Sequence, residues 1–189
     1  SEGSISHTVN IPIAGEHVTN DIARAIGTSI QNAEEIKKKH GCAWSDLADS
    51  DELITTQSIN GRENQSFSRQ GLSSVIEVRY QEIFQIIKQH LGNTNLTQLL
   101  PAGIVLTGGA SRIEGSSQLG EEVFQTPVRV GKTQGLIGLS DILSNPIYST
   151  AVGLILFAQK EIDEDYMDFA MLNEKGLFNK AFRWIQNTF

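Results

Sequence analysis

Ala102 to Thr107 (AGIVLT) is a short apolar run of the kind that is buried on both faces of a sheet, and Gly108 and Gly109 end it abruptly. Helical spacing follows from Glu114 to Phe124, and then a second strand, PVRV, over Pro127 to Val130. Strand, glycine turn, helix and strand in that order make a βαβ unit, which is nearly always right-handed and carries its ligand site at the carboxyl end of the strand. The chain is therefore read as α/β.

The flanking segments supply the rest of the order. Ser4 to Ile13 alternates as a strand, Gly15 punctuates, and Val18, Ile22 and Ile26 recur at the spacing of a short helix. A second helix follows, with Thr28 and Gln31 in a capping-box pattern, Lys37 to Lys39 at its negative end and Gly41 as its stop. The runs ELITTQSI and ENQSF, separated by Asn60-Gly61, predict a hairpin, and Ser68 to Leu91 predicts a long helix. Asn145 is expected to cap a helix that has Pro146 in its first turn and runs to about Lys160.

Composition narrows the function classes. A chain of 189 residues with 39 % hydrophobic content can bury the core of one domain or of two small ones. The net charge of −7 argues against nucleic acid as a partner, since phosphate binding needs a basic face. A single cysteine, Cys42, leaves no disulfide framework and fits a reducing compartment. The longest strongly apolar run, Ala151 to Ala158, is far short of the roughly 20 residues that span a bilayer. Without an initiator Met and starting inside an expected strand, the chain reads as a segment of something longer.

Few residues carry recognisable chemistry. The Gly108-Gly109 turn lets a ligand approach the backbone, although structural turns of this kind are at least as common. Gly131-Lys132-Thr133 imitates the end of a phosphate-binding loop but has Thr126 where that loop needs glycine. The four histidines are dispersed and form no metal motif, so none is assigned to catalysis. On the long helix, Leu72, Val75, Ile76, Tyr80, Ile83, Ile86 and Ile87 make an apolar stripe that contains Arg79, with Glu82 at its edge. A guanidinium there requires a carboxylate, from its own domain or from a visitor.

Residues 161–175 form an acidic linker, with five carboxylates and no basic residue from Glu161 to Asp168. Gly176 to Phe189 (GLFNKAFRWIQNTF) then wraps into an amphipathic helix. Leu177, Phe178, Phe182, Trp184, Ile185 and Phe189 share one face, whereas Lys180, Arg183 and amides share the other. Burying six apolar side chains supplies several kcal/mol at roughly 25 cal/mol per Å². Each basic group adds about 1 kcal/mol near anionic lipid. A membrane surface fits this pattern; a partner's groove and the domain's own core use the same stripe.

GIVLTGGASRIEG (Gly103 to Gly115) resembles the adenosine motif of the actin and heat-shock chaperone ATPase superfamily. Within that superfamily the chain resembles the FtsA family of bacterial division proteins. GEHVTNDIA, AEEIKKKHGCA, RQGLSSVIEVRYQEIF, VRVG, YSTAVGLI and the terminal amphipathic helix all fall in that family's order.

The resemblance implies the C-terminal part of an actin-like (ribonuclease H-like) lobe with a smaller α+β subdomain inserted. Residues 1–28 and 97–160 would form subdomain 2A and residues 29–96 subdomain 2B. Gly108, Gly109 and Ala110 would pass beside ATP, and Glu34 and Lys37 would reach its ribose; their spacing equally suits an ordinary ion pair. The phosphate-gripping segments of the superfamily, with their Mg²⁺ site, have no counterpart here, so nucleotide binding should be weak and hydrolysis absent. Arg79 and Glu82 match positions that hold the acidic-apolar C-terminal tail of FtsZ, although Gln65 stands where some relatives have arginine.

The implied role is an adaptor at the division septum, on the cytoplasmic face of the inner membrane. It would join the FtsZ ring and other division proteins to anionic lipid and would self-associate as an actin-like filament. An ATPase lobe of another actin-like protein, of the pilus-assembly or chaperone and sugar-kinase type, is the alternative.

Overall fold

The computed structural model describes residues 5, 7–56, 65–94, 103–133 and 144–162. Its elements are α1 (Gly15–Ile26), α2 (Ile30–His40), β1 (Leu53–Thr56), β2 (Gln65–Ser68), α3 (Arg69–Asn93), β3 (Ile104–Leu106), α4 (Ser116–Phe124) and β4 (Val128–Val130). Residues 149–162 are also helical. The chain divides into two compact units, Ser1–Gly131 and Lys132–Phe189.

The expected βαβ unit is present in the first unit. β3 and β4 pair in parallel, with Ile104 opposite Val128 and Leu106 opposite Val130. Their connection is α4, which begins two residues later than the sequence suggested, because Glu114 is held elsewhere. Its carbonyl accepts from the Ala43 amide at 2.7 Å, and it forms an isolated bridge with Cys42. Gly115 then turns the chain with φ +77. A Cβ at that position would stand 2.8 Å from Trp44 Cβ, so backbone conformation and packing both require glycine.

The expected hairpin is an antiparallel pair in which Ile54 faces Phe67 and Thr55 faces Ser66. Its Asn60-Gly61 turn lies outside the described residues. Ser68 ends β2 and caps α3, its hydroxyl accepting from the Gly71 amide at 3.1 Å. The cap of α2 is Ser29, one residue after the anticipated Thr28: Ser29 receives the Asn32 amide, while Thr28 receives the Asn32 side chain at 2.7 Å. The alternating segment from Ser4 to Ile13 carries no strand among its described residues. A strand exists only where a neighbour supplies the ladder, and no described segment pairs with this one.

α3 is the spine of the first unit, packed against both α1 and α4. Leu72, Ile76, Tyr80 and Phe84 descend its length at four-residue steps and are buried with Val18 and Ile22 of α1, Ile36 of α2 and Leu119 of α4. Phe84 joins the two halves of this core. Its ring meets Tyr80 edge-on at 5.9 Å and Phe124 of α4 at 5.3 Å.

In the second unit Asn145 caps as expected, its side chain accepting from the Ile147 amide at 3.1 Å. A 3-10 turn, Pro146–Tyr148, precedes helix 149–162, which leaves Leu154, Ile155, Phe157 and Ile162 exposed. No helix among the described residues is long and apolar enough to cross a membrane.

Candidate functional site

β3 runs into Gly108, whose φ of +85 and ψ of 176 belong to backbone that only glycine adopts readily. Among the described residues, no atom beyond its own chain neighbours lies within 4 Å of where a side chain there would start, so the backbone borders open space. The turn Gly109–Arg112 follows, tied down by three hydroxyls. Ser111 donates to the Gly108 carbonyl at 2.7 Å, Ser116 to the Ser111 carbonyl at 2.8 Å, and Tyr80 to the Ala110 carbonyl at 2.8 Å. A loop held from three sides keeps its shape without a ligand, which is what a binding wall needs.

Glu34 and Lys37 lie on α2, one helical turn apart and 2.6 Å from contact to contact. They are more than a surface pair. Lys37 is mostly buried, with 14 % of its side chain exposed, and its ammonium also donates to the Gly15 carbonyl at 2.9 Å and to the Thr19 hydroxyl at 2.7 Å. The Thr19 hydroxyl in turn donates a hydrogen bond to Glu34, and Lys38 lies 3.2 Å from the other carboxylate oxygen. Burial alone would raise the Glu34 pKa, but the hydrogen bonds from Lys37 and Thr19 and the Lys37 charge outweigh it and hold the carboxyl at about 2.

Gly15 brings this pair to the loop. A methyl on Gly15 would sit 3.5 Å from Ala110 Cβ and 3.7 Å from Lys37 Nζ, ordinary contact distances that place both beside the start of α1. The sequence showed Gly15 only as a break before α1. Tyr80 likewise reads as part of the apolar stripe, and nothing in its spacing signals that its hydroxyl donates to the Ala110 carbonyl. The structure thus gathers Glu34, Lys37 and the Gly108–Ala110 turn around the first turn of α1. The arrangement can present one ionised carboxylate and a bare glycine backbone to a ligand, while Lys37, already holding three acceptors, acts mainly as a brace.

Arg79 faces α1 from α3. Its Nε and Nη2 donate to the two oxygens of Asp21 at 2.6 and 3.1 Å, and Nη1 donates to Glu82. The carboxylate that the sequence required is therefore supplied by the chain's own fold. The Asp21 hydrogen bonds raise the Arg79 pKa and keep it charged. α1 serves both clusters, with Thr19 in one and Asp21 in the other. Arg69, which the sequence did not single out, ties three segments together through Glu52, Glu114 and the His40 carbonyl. The proposed membrane residues Leu177, Phe178, Lys180, Phe182, Arg183, Trp184, Ile185 and Phe189 lie outside the described residues, as does residue 163 onward of the acidic linker. No group of three or more His, Cys, Asp or Glu side chains among the described residues could hold a metal ion.

The family model of cell division protein FtsA matches residues 1–153. Cell division protein FtsA of Pseudomonas aeruginosa is 43 % identical over 196 residues, which cover 100 % of this chain and 47 % of the relative. The Escherichia coli K12 protein of the same description is 42 % identical over 191 residues, covering 97 % of this chain and 44 % of the relative. The chain spans about half the length of these curated relatives. Among solved structures, MreB 5 of Spiroplasma citri bound to AMPPNP superposes with a TM-score of 0.65 at 19 % identity, covering 89 % of this chain and 50 % of that one. Its ADP-bound form gives 0.61 at 18 % identity, covering 82 % and 47 %. The mixed α/β fold is therefore actin-like.

Proposed function

The chain belongs to the FtsA family of cell division proteins, and from that premise we propose that it is the membrane-adaptor half of a division protein. In this reading residues 1–28 and 97–160 form one actin-like subdomain and 29–96 an inserted one that receives the C-terminal tail of FtsZ. Residues 176–189 fold on anionic lipid at the cytoplasmic face of the inner membrane, at the septum. The chain contributes one wall of an ATP site, with Gly108, Gly109 and Ala110 along the nucleotide and Glu34 toward its ribose. It is not expected to hydrolyse ATP, because the superfamily's phosphate-gripping segments, which stabilise charge on a transferring phosphoryl, have no counterpart in its sequence.

The observation that carries the nucleotide part is the convergence of the Glu34–Lys37 pair and the glycine turn on Gly15. The solved MreB 5 neighbours were bound to AMPPNP and ADP, which agrees with that use of the fold. The lipid part rests on the separation of the two faces from Leu177 to Phe189. Head-to-tail association would add avidity, since linked weak anchors bind far more tightly than one.

Vesicle co-sedimentation tests the adaptor role. Deleting 176–189 from the intact protein should move it from the pellet of anionic vesicles to the supernatant, whereas unchanged pelleting would remove the anchor from the reading.

A further inference from the structure

Arg79 is the one cation this reading offers to an acidic tail, and Asp21 already occupies it. A guanidinium has five N–H donors in a planar fork, and the edge best suited to a carboxylate here, Nε with Nη2, is spent on the two oxygens of Asp21. Nη1 is spent on Glu82. Two carboxylates around one guanidinium leave the cluster with a net charge of about −1, so an approaching acidic peptide meets repulsion rather than attraction. The contact is half-sheltered, with side-chain exposures of 25 % for Arg79 and 21 % for Asp21, so water weakens it less than it would a surface pair.

We propose that Asp21 is a built-in gate on this site: an acidic peptide binds at Arg79 by displacing the Asp21 carboxylate, and Asp21 sets how tightly it binds. The gate rests on the reading of Arg79 as the tail contact. It differs from that reading in placing the control on α1, on a residue 58 positions away in sequence. It also assigns Asp21 the role of a competitor. Were Asp21 only a scaffold for Arg79, neutralising it would loosen the guanidinium and weaken capture.

Fluorescence anisotropy of the intact protein with a fluorescein-labelled FtsZ tail peptide separates these outcomes. Asp21→Asn, which keeps the shape and removes the charge, is expected to tighten binding roughly tenfold, the scale of one released charge-assisted hydrogen bond. Arg79→Glu is expected to abolish binding in both backgrounds. If Arg79→Glu abolishes binding while Asp21→Asn leaves affinity unchanged or lower, the gate is overturned and the Arg79 contact stands. If Arg79→Glu leaves binding intact, the Arg79 contact itself is wrong, and the gate falls with it. Should Asp21→Asn fail to fold, the NMR signal of the Arg79 Nε–H in the unmutated protein decides. Displacement of Asp21 shifts that signal along the binding curve, and a signal still at its free-protein position at saturation refutes the gate.

Discussion

Lys37→Met isolates the brace between α1 and α2 and gives it a magnitude. Glu34 titrates at about 2 in the fold against 4.5 as its ordinary value, and the Lys37 ammonium supplies two of the main effects that lower it. At 1.36 kcal/mol per pH unit, that gap has a ceiling of about 3 kcal/mol. Glu34 retains 34 % exposure, and solvent screening brings the expected contribution to about 1.5–2 kcal/mol. The sign follows from linkage. A carboxyl whose pKa is depressed by folding stabilises the fold fully above the unfolded value of 4.5, and that stability drains away as pH falls toward 2.

Methionine keeps the length of the lysine stem and removes the charge. The variant should then be less stable than the parent by at most about 1.5–2 kcal/mol from the Glu34 linkage near pH 6, since Thr19 and Lys38 still lower the Glu34 pKa, beside a pH-independent loss from the uncovered Gly15 carbonyl and Thr19 hydroxyl. Urea midpoints for both proteins, measured in steps from pH 6 to pH 2.5, read the difference directly. Other carboxylates titrate in the same range, but they do so in both proteins and cancel. The gap should narrow steadily below about pH 4.5. A gap that stays constant across the range would show that Lys37 does not hold Glu34 ionised, and the account of this cluster would be wrong.

Tyr80→Phe removes the donor to the Ala110 carbonyl and should cost about 1–2 kcal/mol, seen as a lower thermal midpoint; an unchanged midpoint would mean that the loop does not depend on α3. Gly115→Ala combines a strained φ with close approach to Trp44 and should cost about 2–4 kcal/mol in urea titration, so a variant as stable as the parent would refute the packing described there. Gly108→Ala adds strain in open space, about 1–2 kcal/mol. It should weaken binding of a fluorescent ATP analogue by the intact protein beyond that loss of stability, and wild-type affinity would take the turn out of the proposed nucleotide wall.

Elements whose pattern is set by their own residues were legible in the sequence. The βαβ unit, both hairpin strands and α3 follow from local spacing, and the Ser68 hydroxyl that the structure shows capping α3 likewise needs no distant partner. The N-terminal alternation was a weaker guide because it reports only what a strand would expose if a neighbour paired with it. The stripe read along α3 named Val75 and Ile86 and passed over Phe84. α3 packs on two sides, and Phe84, one four-residue step beyond Tyr80, lies where the buried line turns toward Phe124.

The candidate site divides along the same line. The glycine pair could be found because it lies within one turn of chain, and the resemblance pointed to Glu34 and Lys37; their nearness to the turn could not be read, since it depends on how α1 packs between α2 and the loop. For Arg79 the sequence stated the requirement without the answer. An arginine on an apolar face must meet a carboxylate, and the chain holds 22 acidic residues that could satisfy it. Only the packing of α1 on α3 selects Asp21, because residues 18 and 22 of α1 are buried in that seam and so carry the residue before 22 to its edge, within reach of the guanidinium. The pairing is fixed by which faces of two helices are apolar, and a charge pattern read along one helix has no means of expressing it.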